Sequence, residues 1–134
     1  MLPTFDDNGY LPPGIHRCTF AELVVRFGKG SEERESEVDE LKTYFEIAKK
    51  AGVSRLVVDG SFVTDNPRPN DVDIVVLVPP EYDVASMTLE ADGKTSSRIH
   101  IFLALGDASF EKWSCDFFAC DRLGNPEGVV EVIL

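Results

Sequence analysis

In the stretch VVDGSFVTDNPRPNDVDIVVLV, residues 57–78, two carboxylates stand two positions apart at the head of an apolar run, downstream of a Gly-Ser pair. Residues two apart on a strand point to the same side, so Asp71 and Asp73 leave one face with Cα atoms about 6–7 Å apart. Carboxylates so spaced can converge on one or two Mg²⁺ ions, hard cations that take oxygen ligands and keep waters or substrate phosphates in their remaining positions. Left alone, the pair would suffer desolvation and mutual repulsion, and a cation relieves both. The plain alternative is a solvated strand start.

The neighbouring residues extend the chemistry. If the strand ending at Asp59 lies antiparallel beside the one beginning at Asp71, the Gly60–Ser61 turn sits next to the two aspartates. Glycine permits close backbone approach, and SFVTD is long enough for one helical turn whose free N–H groups, with the Ser61 hydroxyl, would hold phosphate. The loop between, Phe62 to Asn70, is nine residues long and stiffened by Pro67 and Pro69. A third carboxylate is needed to bind a second metal or to deprotonate an attacking hydroxyl, and Asp116, in the apolar segment SCDFF, is the candidate. The 34 residues from Pro79 to Lys112 are ample for a crossover that sets its strand parallel to the one beginning at Asp71. Such a constellation supports in-line phosphoryl transfer between two metals.

The segment VDGSFVTDNPRPNDVDIVV resembles the signature of the nucleotidyltransferase superfamily that includes DNA polymerase β: a hydrophobic residue before Gly-Ser, a spacer, Asp-hydrophobic-Asp, and later a third acid between hydrophobic residues. The resemblance implies that Gly60 and Ser61 bind the nucleotide phosphates, that Asp71 and Asp73 hold the metals, and that Asp116 is the third acid. The whole chain, from LPPGIH and TFAEL to EGVVEVIL, also resembles an uncharacterised bacterial family with this core. Minimal nucleotidyltransferases paired with toxin partners usually have ten residues between the serine and the first aspartate, against nine here, and no separate acceptor-binding domain follows in this chain.

Other motifs carry less. DNPRPNDVD is rich in oxygen ligands, but Pro69 and Asn70 stand where a calcium loop wants its turn glycine, and no Glu closes it. DGKTS, residues 92–96, is a plain turn rather than a P-loop, because Thr88 occupies the position of the required first glycine. His16 and His100 lack ligand-spaced companions and read as structural or surface residues. Arg68, Lys94 and Arg98 could neutralise phosphates, although exposed basic side chains are commonplace. No Ser/His/Asp or Cys/His nucleophile set can be assembled.

The elements that must position these residues follow from local patterns. Pro12, Pro13 and Gly14 set up a turn. Thr19 and Glu22 form a capping box for a short helix through Leu23, Val24 and Phe27 that stops at Gly28. From Ser31 to Ala51, Val38, Leu41, Phe45 and Ala48 recur at helical spacing, with acids early, Lys49 and Lys50 late and Gly52 beyond. The acids from Glu32 to Glu40 read as the solvated face and start of that helix. SRLVVDG and DVDIVVLV read as buried strands. On the second, Asp71, Asp73, Val75 and Leu77 share one face and Val72, Ile74, Val76 and Val78 the other; both faces turn apolar, so the strand is central and only its start emerges into a cleft. MTLEADGKTSSRIHIFLALG is either a hairpin turning at Asp92-Gly93 or a loop followed by a helix through Ile99 to Leu105; the alternation of Ile99, Ile101, Leu103 and Leu105 slightly favours strand. WSCDFFAC reads as a further buried strand, and GVVEVIL as a terminal strand or extended tail.

Length and composition bound the rest. A chain of 134 residues with 43% hydrophobic residues fits one compact domain. We expect an α/β (α+β) fold of nucleotidyltransferase type, a mixed sheet flanked by helices, with residues 1–30 as an N-terminal extension carrying a short helix and 31–134 as the core. No apolar run is long enough to span a bilayer and the N-terminus has no export pattern. Cys18, Cys115 and Cys120 lack a disulfide-framework spacing and fit reduced thiols in a cytoplasmic location. Cys115 and Cys120, five apart on a strand, would point to opposite faces and so share no metal. A net charge of −11 disfavours long nucleic acid as a partner. The expected partners are a nucleoside triphosphate with Mg²⁺ or Mn²⁺, and a protein partner or a second copy. The expected reaction moves a nucleoside monophosphate to a hydroxyl of a protein, a small molecule or a tRNA end. The rival expectation is an inactive interaction module of the same fold, such as one half of a toxin-antitoxin or defence pair.

Overall fold

The computed structural model describes residues 2–7, 9–69, 71–79, 99–112 and 128–134. Among them a five-stranded mixed sheet runs in the order β1-β5-β2-β3-β4, built from β1 (Gly14–Thr19), β2 (Arg55–Asp59), β3 (Val72–Val78), β4 (Ile99–Leu105) and β5 (Gly128–Ile133), with helices α1 (Phe20–Phe27), α2 (Glu32–Lys50) and the short α3 (Asp107–Glu111). The fold is α+β, in a single body.

The helix ends obey the local signals. The Thr19 hydroxyl accepts from the Glu22 amide at 3.2 Å and Glu22 reaches back to the Thr19 amide at 3.3 Å, which closes the capping box. The Gly28 amide ends α1 on the Val24 carbonyl. Ser31 caps α2 through the Arg34 amide, and three glutamates in the first turn against Lys49 and Lys50 in the last match the helix dipole. The acidic run is not wholly solvated, however. The buried stripe of α2 is Arg34, Glu37, Val38, Leu41, Tyr44 and Ala48, so the helical period that selects Val38 and Leu41 also carries two charged residues of the run inward.

β3 is central, with β2 antiparallel on one side and β4 parallel on the other. Its two faces separate as the alternation requires. Val72, Ile74, Val76 and Val78 join Leu56, Val58, Val130 and Val132 in the larger core, beneath Leu23 and Phe27 of α1 and Leu41, Tyr44 and Ala48 of α2. Val75 and Leu77 join Val57, Ala104, Val129 and Phe110 of α3 in a smaller core on the opposite face. Helices therefore cover both faces.

GVVEVIL is a strand rather than a loose tail: β5 lies between β1 and β2, parallel to the first and antiparallel to the second. Ile99 to Leu105 is likewise strand, not helix. The unexpected element is β1. Residues 14–19 follow the Pro12-Pro13 turn directly into the sheet, and the N-terminal thirty residues supply an edge strand and a helix to the same core. Gly128 admits this arrangement, because a Cβ there would lie 2.2 Å from the Pro12 carbonyl oxygen. The proposed Asp92-Gly93 turn and the WSCDFFAC strand, with Cys115, Asp116 and Cys120, lie outside the described residues. No helix among those described is long and apolar enough to cross a membrane.

Candidate functional site

The antiparallel register of β2 and β3 pairs Asp59 with Asp73, which brings the end of β2 and the following Gly60–Ser61 turn against the start of β3. Gly60 has φ of 91°, and a Cβ on it would lie 2.7 Å from the Asp71 carbonyl oxygen and 3.1 Å from Asp71 Oδ2. Glycine is thus required by the approach of the two chain segments as well as by the positive φ.

Ser61 through Val63 form the single helical turn expected, of 3₁₀ type. Its N–H groups are not free, contrary to the expectation. The Ser61 amide donates to Asp71 Oδ1 at 3.0 Å, the Phe62 amide to the Asp71 carbonyl at 3.2 Å, and the Val63 amide to the Gly60 carbonyl at 3.2 Å. The Ser61 hydroxyl also donates to Asp71 Oδ1 and accepts from the Asp71 amide. In this arrangement the Gly-Ser turn is a clamp on Asp71 before it is a seat for phosphate.

Asp73 is held differently. The parallel β3–β4 register pairs it with His100, whose Nδ1 lies 3.1 Å from Asp73 Oδ1. Burial raises the Asp73 pKa above the ordinary carboxylate value; the His100 contact pulls the other way and the Asp71 charge pushes it up again. A partly buried carboxylate beside a second carboxylate is the electrostatic problem that a cation relieves. Oδ1 of each aspartate is engaged, by Ser61 and by His100. Carboxylate oxygens are the ligand type that Mg²⁺ or Mn²⁺ takes, but the described residues contain no group of three or more His, Cys, Asp or Glu side chains that could hold a metal ion.

The structure therefore brings Gly60, Ser61, Asp71 and Asp73 together, and leaves Asp116 outside the described residues. It adds His100, read from the sequence as structural or surface, and Asp59, both on the face that carries Asp73. His16 does behave structurally, with its Nε2 2.6 Å from the Pro12 carbonyl. The Arg68 side chain is exposed beyond the turn. A further residue that sequence missed is Arg34, which reaches from α2 to the backbone of the segment following Ser61. The signal for it was present, since it stands four positions before Val38 on the buried stripe.

No curated protein and no solved structure matches the chain significantly. A family model spans nearly all of it, residues 3–133, and by that match the chain belongs to the family of unknown function DUF6932.

Proposed function

We propose that this corner of the sheet is the triphosphate end of a nucleotidyltransferase site, which moves a nucleoside monophosphate from a nucleoside triphosphate to a hydroxyl. The observation that carries the reading is the placement of Asp71 and Asp73 two residues apart at the start of a central strand, one clamped by the Gly60–Ser61 turn and the other carrying a pKa raised by burial and by the Asp71 charge. The resemblance of GSFVTDNPRPNDVD to the nucleotidyltransferase signature supports it. Mg²⁺ or Mn²⁺, when bound, would supply charge neutralisation for the phosphates. Asp71 and Asp73 would hold the ion through their remaining oxygens, and Ser61 would fix the orientation of Asp71. The acceptor oxygen would bond to the α-phosphorus as the bond to pyrophosphate breaks, with Asp116 taking the hydroxyl proton. The acidic charge favours a protein or small-molecule acceptor, or a tRNA end, over long nucleic acid, and a cytoplasmic setting suits the thiols. A protein partner or second copy would supply further acceptor surface.

One observation favours a second reading. The Ser61 and Phe62 donors that a phosphate needs are already satisfied by Asp71, which suits an inactive interaction module of the same fold, such as one half of a toxin-antitoxin or defence pair. Calorimetric titration of ATP, GTP, CTP and UTP with and without Mg²⁺, together with label transfer to a lysate, separates the two. Transferase function predicts Mg²⁺-dependent binding of at least one nucleotide, abolished by Asp71→Asn with Asp73→Asn. No binding by the folded wild type sinks it.

A further inference from the structure

Arg34 is 6% exposed, and its hydrogen bonds end on four backbone carbonyls. Nη1 donates to Phe27 and Phe62 at 3.0 and 2.8 Å, and Nη2 to Thr64 and Asn66 at 2.6 Å each. One planar group therefore joins the end of α1, the start of α2 and three alternate residues of the segment that leaves the Gly60–Ser61 turn. Its guanidinium carbon also stands 5.7 Å from the centre of the Phe62 ring. Burial lowers its pKa, opposed by the charges of Glu37 and Asp65.

We propose that Arg34 is a positioning residue for the candidate site: by fixing the backbone from Phe62 to Asn66 it holds Ser61 in register with Asp71. The link is short. The Thr64 hydroxyl donates to the Ser61 carbonyl at 2.6 Å, and the Phe62 amide meets the Asp71 carbonyl, so two of the residues that Arg34 grips are bonded to the clamp itself. From the other side the segment is held by the Asp65 amide on the Gly9 carbonyl and by the Tyr10–Thr64 bridge. Lysine cannot substitute, because its three donors radiate from one atom and cannot satisfy four carbonyls at once. Removing the guanidinium would leave the buried carbonyls of Phe62 and Thr64 without this donor. The proposal rests on the nucleotidyltransferase reading only in calling Asp71 a ligand.

The test is amide hydrogen exchange by NMR on the full chain in chelator, comparing wild type with Arg34→Lys and Arg34→Met. Exchange at Ser61, Phe62, Val63 and Thr64 should quicken by about tenfold or more, with Val57 and Val75 changed by less than about twofold. The Asp71 carboxyl carbon resonance should move as the Ser61 bonds loosen. Unchanged protection at these four amides, or an equal loss throughout the chain, overturns the proposal. Should neither variant fold, the wild type decides: four separate, slowly exchanging Arg34 Nη hydrogens support it and one averaged signal overturns it. Titrating wild type with Mn²⁺ is the separate arm. Failure to broaden Asp71 and Asp73 would end the metal reading alone, since the exchange pattern is read without metal.

Discussion

Asp73 and His100 occupy paired positions of β3 and β4, and their side chains meet at 3.1 Å between Oδ1 and Nδ1. Even with that contact, burial and the Asp71 charge keep the Asp73 pKa above its ordinary 3.8. The native state thus holds this proton more tightly than the unfolded chain does. Its stabilising contribution is complete below the unfolded value and is lost as the pH rises through the native one. At neutral pH without metal, Asp73→Asn should therefore raise the melting midpoint by about 3 °C, and the gain should fade as the pH drops into the acid range. Mg²⁺ should reverse the order by stabilising wild type and not the variant. A variant less stable than wild type in chelator at pH 7 would contradict the electrostatic account.

Gly60→Ala tests the close approach. The added Cβ meets a backbone oxygen, that of Asp71, at 2.7 Å, and the positive φ compounds the strain. A loss of about 2–4 kcal/mol in denaturant unfolding is expected. The Ser61 amide resonance should shift most, because the turn must move away from Asp71. Stability within about 0.5 kcal/mol of wild type would mean that the turn accommodates a side chain.

These expectations mark what was legible in the sequence. The capping box at Thr19, the ends of α2 and the two faces of β3 depend on spacings within a few residues and emerged as read, and the antiparallel pairing of β2 with β3, posed only as a condition, is present too. β1 did not, because its burial is slight along most of its length, only Cys18 being buried, and its pairing partner comes from the opposite end of the chain. His100 next to Asp73 depends on a parallel register that no local pattern states. Arg34 and Glu37 were hidden by their own chemistry. A charged residue in an acidic run reads as solvated until a tertiary partner accounts for it.

Cys18, buried in the main core, has its thiol pKa pushed up to about 11, chiefly by burial and secondarily by Glu22. The reactive thiolate is therefore scarce at pH 8. Alkylation of the native protein by iodoacetamide, read peptide by peptide by mass spectrometry, should leave Cys18 unmodified until denaturant is added. Its labelling rate should follow global unfolding. Rapid native labelling at pH 8 would show that β1 opens independently of the rest of the sheet.

Phe110 of α3 packs on the sheet face that carries Arg55. Arg55 donates to Glu131 through Nε at 3.0 Å and Nη2 at 2.7 Å, a bidentate pair across β2 and β5, and its guanidinium carbon lies 4.6 Å from the centre of the Phe110 ring. The Glu131 side chain is 6% exposed and that of Arg55 35%, so the carboxylate is the partner that cannot be left alone. Arg55→Met strands it and should cost about 3 kcal/mol, the low end of the range for breaking a buried pair because the arginine retains contact with water. Glu131→Gln, which removes the buried charge and keeps an acceptor, should cost less. Arg55→Met combined with Glu131→Leu should recover much of the loss, since a packed apolar pair removes the stranded charge altogether. Denaturant unfolding of the four proteins closes the cycle. If the double variant is no more stable than Arg55→Met alone, the loss comes instead from contacts of Arg55 other than Glu131, among them that with Phe110.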